Sequence, residues 1–260
     1  MKEEIKIFFT ALMFYTRIPC PKNIDHSEEY INKATRYFPL IGWVVGAISF
    51  LAFCLGNYLF GSSIGILFSL IAGVLTTGAF HEDGLADFFD GFGGGWTKEK
   101  ILDIMKDSRV GAYGAISLVF LFGIKFLALN KLLIKADDLV ILFLVFISYH
   151  SLARLTAINI AFILPYSKLD QESKAKPISK KHSYVEIIGA YLFGVLPLII
   201  LASLNLMFLL SLLPLMILVY YMKNYFNKWI NGYTGDCLGA VEQMAECICL
   251  LSFLFVWKFT

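Results

Sequence analysis

The sequence has no Gly-x4-Gly-Lys-Ser/Thr run, which excludes an ATP-hydrolysing P-loop, and it carries neither an HExxH helix nor a serine nucleophile elbow. Cysteine is sparse. Cys20, Cys54, Cys237, Cys247 and Cys249 sit in apolar or cytoplasm-like context without ligand-like pairing. The one close pair, Cys247-x-Cys249, points in different directions on a helix, so reduced core residues are expected, with neither disulfide nor zinc. No internal repeat of fixed period and no low-complexity tract occurs. The start, Met1-Lys2-Glu3-Glu4-Ile5, carries two acids and no small-residue cleavage site follows, so a removed signal peptide is not expected.

What is abundant is apolar surface. Hydrophobic residues make up 58% of the 260 and the mean hydropathy is +0.71, against about 45–50% apolar in a water-soluble domain. The chain therefore belongs in a bilayer, as an all-α, polytopic helical bundle forming a single integral membrane domain over residues 1–260. Ile5 to Thr16 is apolar but shorter than the roughly 20 residues a crossing helix needs, which suits an interfacial or re-entrant helix. Seven spans are expected: Phe38 to Gly56, Ser62 to Phe80, Ala112 to Leu133, Leu139 to Leu164, Ile187 to Leu204, Leu206 to Met222 and Gly239 to Trp257. The fifth and sixth, split only by Asn205, also read as one tight helical hairpin.

The net charge of +2 says little; its distribution says more. Seventeen Lys and Arg fall in the N-terminal arm and in residues 81–111, 165–186 and 223–238, against three on the opposite connections and the C-terminus. By the positive-inside bias the first set is cytoplasmic, so the expected location is the cell (inner) membrane, with the N-terminus inside and the C-terminus outside. The loop bearing Lys168, Lys174, Lys176, Lys180 and Lys181 around Pro177 reads either as a topology signal touching anionic lipid or as a lid that gathers a phosphorylated substrate.

Acids concentrate in residues 81–114, which hold seven of the 20: Glu82, Asp83, Asp87, Asp90, Glu99, Asp103 and Asp107. As a helix, Asp83, Asp87 and Asp90 follow an i, i+4, i+7 rhythm and share one face, where unpaired they would repel. Glycines flank them (Gly84, Gly91, Gly93 to Gly95) and allow close backbone approach to a ligand. Hard cations such as Mg²⁺ or Mn²⁺, or protons held at raised pKa, would offset the repulsion, and we favour metal. A solvated helix face is the alternative. The glycine run ends this helix, and a second from about Thr97 would present Asp103 and Asp107 toward the same place.

Further charges lie inside the spans: Lys125, the i, i+4 pair His150 and Arg154, and the i, i+4 pair Glu242 and Glu246. Each costs about 2.5–3.5 kcal/mol on insertion scales, so a bundle-facing role is expected. The plainer alternative is an interhelical ion pair between Arg154 and one glutamate. In Tyr233-Thr234-Gly235-Asp236-Cys237-Leu238-Gly239-Ala240, Asp236 stands between glycines at a helix mouth, either as an N-cap or as a ligand facing the acidic segment. Carboxylates, glycines and nearby Lys106, Arg109 and Arg154 make the kit for phosphoryl or nucleotidyl transfer.

These motifs carry a resemblance. Thr16-Arg17-Ile18-Pro19, Arg36-Tyr37-Phe38-Pro39-Leu40-Ile41-Gly42, His81-Glu82-Asp83-Gly84-Leu85-Ala86-Asp87-x2-Asp90-Gly91, Asp107-Ser108-Arg109-Val110-Gly111-Ala112-Tyr113-Gly114 and Gly235-Asp236-x2-Gly239-Ala240 together resemble the cobalamin synthase family, membrane-bound adenosylcobinamide-GDP ribazoletransferases. The resemblance runs through most of the chain in order. It implies a Mg²⁺-dependent transferase joining adenosylcobinamide-GDP to α-ribazole or its 5′-phosphate with release of GMP, by attack of a ribose hydroxyl on the pyrophosphate. Partners would be these substrates and membrane lipid, without nucleic acid, leaving open a homo-oligomer or contact with other membrane cobalamin enzymes.

On that resemblance the metal ligands are Asp83, Asp87 and Asp90, with Glu82 weaker because it points roughly 100° away on a helix. One of these, or Asp236, takes the hydroxyl proton. Arg17, Arg36 and Arg109 are the expected pyrophosphate contacts, with Lys106 and Arg154 as further charge partners. Asp83-Gly84 and Asp103-x3-Asp107 also echo CDP-alcohol phosphotransferases, but Asp87 stands where that pattern needs Ala-Arg. An ion-coupled transporter using Asp236, Glu242, Glu246 and Lys125 is the alternative from another class; it leaves the acids at the rim unexplained.

Overall fold

The computed structural model describes residues 3–22, 24–25, 27–135, 138–167 and 182–259, so the basic loop expected at 168–181 lies outside the described residues. The described chain is helical throughout apart from short connections and one isolated parallel bridge between Tyr166 and Tyr233. In order the helices are α1 (Glu3–Tyr15), α2 (Glu28–Ala34), α3 (Phe38–Phe60), α4 (Ser62–Thr77), α5 (Phe80–Gly94), α6 (Lys98–Met105), α7 (Ala112–Lys135), α8 (Leu139–Ile163), α9 (Tyr184–Ala202), α10 (Leu212–Ile230) and α11 (Gly235–Lys258). Single 3₁₀ turns join α2 to α3 (Thr35–Tyr37) and lead into α10 (Leu206–Ser211).

Six helical segments are individually long and apolar enough to cross a membrane: Glu28–Phe60, Ala112–Lys135, Leu139–Ile163, Tyr184–Ala202, Leu206–Ile230 and Gly235–Lys258. The hairpin reading around Asn205 is not needed. Asn205 caps the 3₁₀ turn through Met207 N–H, and α9 and α10 are separate spans. The expected span to Phe80 stops at Thr77. There α4 bends by 88° into α5, because Gly78 (φ 70°) and Ala79 (φ 58°) both adopt the left-handed conformation. The bent pair α4 and α5 together supplies a seventh crossing, α4 its apolar limb and α5 the limb we read as lying along the rim. At 13 residues α1 is short of a crossing and packs on α2 and α3.

Close packing comes from small residues, since helices in lipid associate by fit rather than by hydrophobic exclusion. Gly42 and Gly46 form one stripe of α3 against the backbone of α8; a Cβ on Gly46 would lie 2.8 Å from the Phe146 carbonyl oxygen. The inner helices are α8 and α11, 72% and 67% buried over their apolar windows, whereas α7 is 28% buried and turns Ile116, Val119, Phe120 and Leu127 outward. Such an apolar exterior suits lipid and not water.

One rim collects the functional segments. Arg17 N–H donates to the Thr76 carbonyl at 2.7 Å, Arg36 bridges to Glu186, Ser167 N–H reaches the Tyr233 carbonyl, and α5 crosses the start of α11. At the other rim Lys135 donates to the Trp257 carbonyl.

Overpacking the α3–α8 stripe is expected to cost about 1–3 kcal/mol. Gly46→Val should therefore lower the melting temperature in detergent by several degrees. Gly123→Ala, with nothing within 4 Å of the new Cβ, should not lower it.

Candidate active site

The site is built where α5 crosses the first turn of α11. Thr234 caps α11 through Cys237 N–H, which sets Asp236 in the first turn. Gly84 of α5 and Gly239 of α11 then let the two backbones touch: a Cβ on Gly84 would lie 3.0 Å from the Asp236 Cα, and one on Gly239 3.0 Å from the His81 carbonyl oxygen. Asp236 is thereby brought against the helix that carries Asp83 and Asp87. The Asp87 carboxyl is pushed up to about 7, first by burial and then by the charges of Asp236, Asp83 and Asp90. Asp83 is exposed and Asp87 half-buried, so this group of acids opens outward.

Asp90 is used differently from the expectation. Its two carboxylate oxygens accept from Gly111 N–H (2.7 Å) and Gly114 N–H (2.9 Å), so it is buried under the start of α7 and latches the 107–114 turn to α5. Glu82 also leaves the group. It points inward, where its Oε1 accepts from Gln243 Nε2 of α11 at 3.3 Å.

Arg36 and Arg154 are buried, and each guanidinium has partners within the protein. Arg36 donates to Glu4 (2.9 Å), Glu186 (2.7 Å) and the Lys33 carbonyl. Arg154 pairs with Glu242 at 2.9 Å and donates to the His150 carbonyl. The interhelical ion pair posed as the plainer alternative is thus present. Arg17, Lys106 and Arg109 stay on the accessible surface. Arg17 packs on Gly78 at the α4–α5 bend, and Arg109 forks onto Asp107, whose carboxyl it holds down at about 2. The expected i, i+4 presentation of Asp103 and Asp107 fails because α6 ends at Met105.

Beneath the rim lies a buried polar network. Glu246 pairs with Lys125 and His150, Gln243 accepts from Lys125 and donates to Glu242 at 2.7 Å, and His81 faces Glu242 at 3.9 Å. The charges were legible in the sequence. The part of Gln243 was not, since a neutral amide in an apolar helix gives no charge signal.

Among the described residues no three His, Cys, Asp or Glu side chains are arranged as a ready-made metal cage. The donor set nevertheless suits Mg²⁺, a hard ion that dehydrates reluctantly and is commonly held by one or two carboxylates plus substrate phosphates. Asp83 and Asp87 are the residues that would hold it.

The family model for cobalamin-5-phosphate synthase matches residues 7–254. The chain belongs to this family. Full-length relatives agree: it is 39% identical over 268 aligned positions to the adenosylcobinamide-GDP ribazoletransferase of Leptospira biflexa, covering 98% of this chain and 97% of the relative. It is 40% identical to those of Leptospira interrogans and Shewanella amazonensis, each comparison covering 99% of this chain and 98% of the relative. No solved structure matches significantly. Asp90 latches the 107–114 turn whereas Asp83 is exposed on the same helix, and the two separate experimentally. Each hydrogen bond to a charged acceptor contributes about 1.5–3 kcal/mol, so Asp90→Ala should lower the melting temperature and speed proteolysis after Lys106 or Arg109. Asp83→Asn should leave both unchanged.

Proposed function

We propose that this chain is a Mg²⁺-dependent adenosylcobinamide-GDP ribazoletransferase working at the α5–α11 crossing. The observation that carries the reading is the close approach of α11 at Asp236 to the helix that bears Asp83 and Asp87, in a chain whose curated relatives bear that enzyme name. When bound, the ion supplies neutralisation of phosphate oxygens and alignment of the attacking hydroxyl. Asp83 and Asp87 are the residues that would hold such an ion. Arg17 at the α4–α5 bend, with Arg109 and Lys106 on the neighbouring turn, offsets phosphate charge.

A ribose hydroxyl of α-ribazole, or of its 5′-phosphate, forms the new O–P bond at the phosphorus carried by the corrinoid. The P–O bond to GMP breaks, and GMP leaves with the bridging oxygen. The hydroxyl proton goes to Asp236, which stands in the first turn of α11 against the helix that carries the two acids. Hydroxyl, diphosphate and proton acceptor thus meet at one mouth, and an ion-coupled transporter gives no reason for acids there. The excess of Lys and Arg on this set of loops supports a mouth that faces the cytoplasm, with the C-terminus on the other side of the inner membrane.

Protein purified in detergent and given Mg²⁺, adenosylcobinamide-GDP and α-ribazole should release GMP, lose this activity in EDTA and regain it with Mg²⁺ or Mn²⁺. Asp83→Asn and Asp87→Asn should each reduce kcat by at least about 10²-fold while the protein still inserts and binds corrinoid. More than about a tenth of wild-type turnover in either, well short of that loss, would reject the assignment.

A further inference from the structure

Glu82 and Gln243 stand next to the reaction machinery without facing the acids at the mouth. Both are buried. Gln243 has each amide atom committed: Oε1 accepts from Lys125 Nζ, and Nε2 donates to Glu242 and to Glu82 Oε1. It therefore ties α5 to α7 and α11 through side chains, one turn deeper than the glycine crossing.

That tie acts on rotation. The Asp90 latch holds α5 about two turns further on. At the first turn the contact at Gly84 alone would let the helix roll about its long axis, and the attachment at Glu82 fixes the roll beside Asp83 and Asp87. On a helix Asp83 and Asp87 lie about 100° and about 140° round from Glu82, so anchoring Glu82 inward aims both carboxylates at the mouth. With side-chain ends about 6 Å from the helix axis, a roll of about 20° would displace them by about 2 Å. Misplacement by about 1 Å is enough to cost about 10²-fold in rate. We propose that Glu82 and Gln243 are positioning residues that set the roll of α5 and thereby aim Asp83 and Asp87. This rests on the transferase reading above, and it assigns Glu82 an orienting role in place of metal ligation.

The test compares Glu82→Gln, Glu82→Leu, Gln243→Leu and the Glu82→Leu/Gln243→Leu double variant in the purified enzyme, with Mn²⁺ binding followed by EPR beside GMP release. A glutamine at 82 still offers an oxygen to the Gln243 amide, so Glu82→Gln should keep kcat and Mn²⁺ affinity within about threefold of wild type. The two leucine variants should each lose about 10- to 100-fold in kcat with the corrinoid KM within twofold. The double variant should be no worse than either single, because the two residues act as one tie. Glu82→Gln as inactive as Asp83→Asn would overturn the proposal, since the charge itself would then be used. So would leucine variants with full turnover, or losses that multiply in the double variant. If the leucine variants fail to fold, the Glu82→Gln and Asp83→Asn comparison decides alone. Absence of turnover and Mn²⁺ binding in the wild-type protein would instead strike the transferase reading.

Discussion

Backbone contact between Gly84 and Gly239 is the constraint on which the site depends. A side chain at Gly84 would press on the Asp236 Cα and one at Gly239 on the His81 carbonyl oxygen, each from 3.0 Å, so either works against the close approach of α5 and α11. Packing of this closeness is what holds helices together in lipid, where no hydrophobic driving force separates protein from solvent. The same contact that builds the bundle thus brings acids from two distant stretches of the chain to one mouth. The Asp87 carboxyl is raised first by burial and then by the charges of the neighbouring acids, and in the proposed reading a divalent ion would relieve that repulsion.

The buried network under the mouth follows from the same geometry. An inner helix bearing Glu242 and Glu246 could not sit in an apolar core unpaired, and Arg154, Lys125 and His150 answer it from α8 and α7. Because α5 carries His81 and Glu82 into this network, the polar interior reaches the rim helix. The bend at Gly78 and Ala79 makes that possible: a straight continuation of α4 would carry the acids out of reach of α11.

The spans were legible because length and hydropathy are local quantities, and all seven expected crossings fall on helices. The second span was ended three residues late and its bend was not expected, since left-handed Ala79 gives no compositional signal. Asp83 and Asp87 stood out by helical spacing. Asp90 shared that spacing, but its partners are backbone N–H groups 21 and 24 residues away, which no side-chain pattern reports. Arg36 looked available for phosphate because Glu4 and Glu186 are remote in sequence and near in space. Glu82 and Gln243 pair across 161 residues for the same reason.

Graded widening of the α5–α11 crossing tests the central claim most directly. In a series of Gly84→Ala and Gly84→Val, the new Cβ begins 3.0 Å from the Asp236 Cα and the added methyls press further. GMP release per folded molecule should fall stepwise with side-chain size, with valine below about a hundredth of wild type, while α-helical content stays constant. Undiminished turnover by the valine variant would contradict the account, because the acids would then not need this contact to meet.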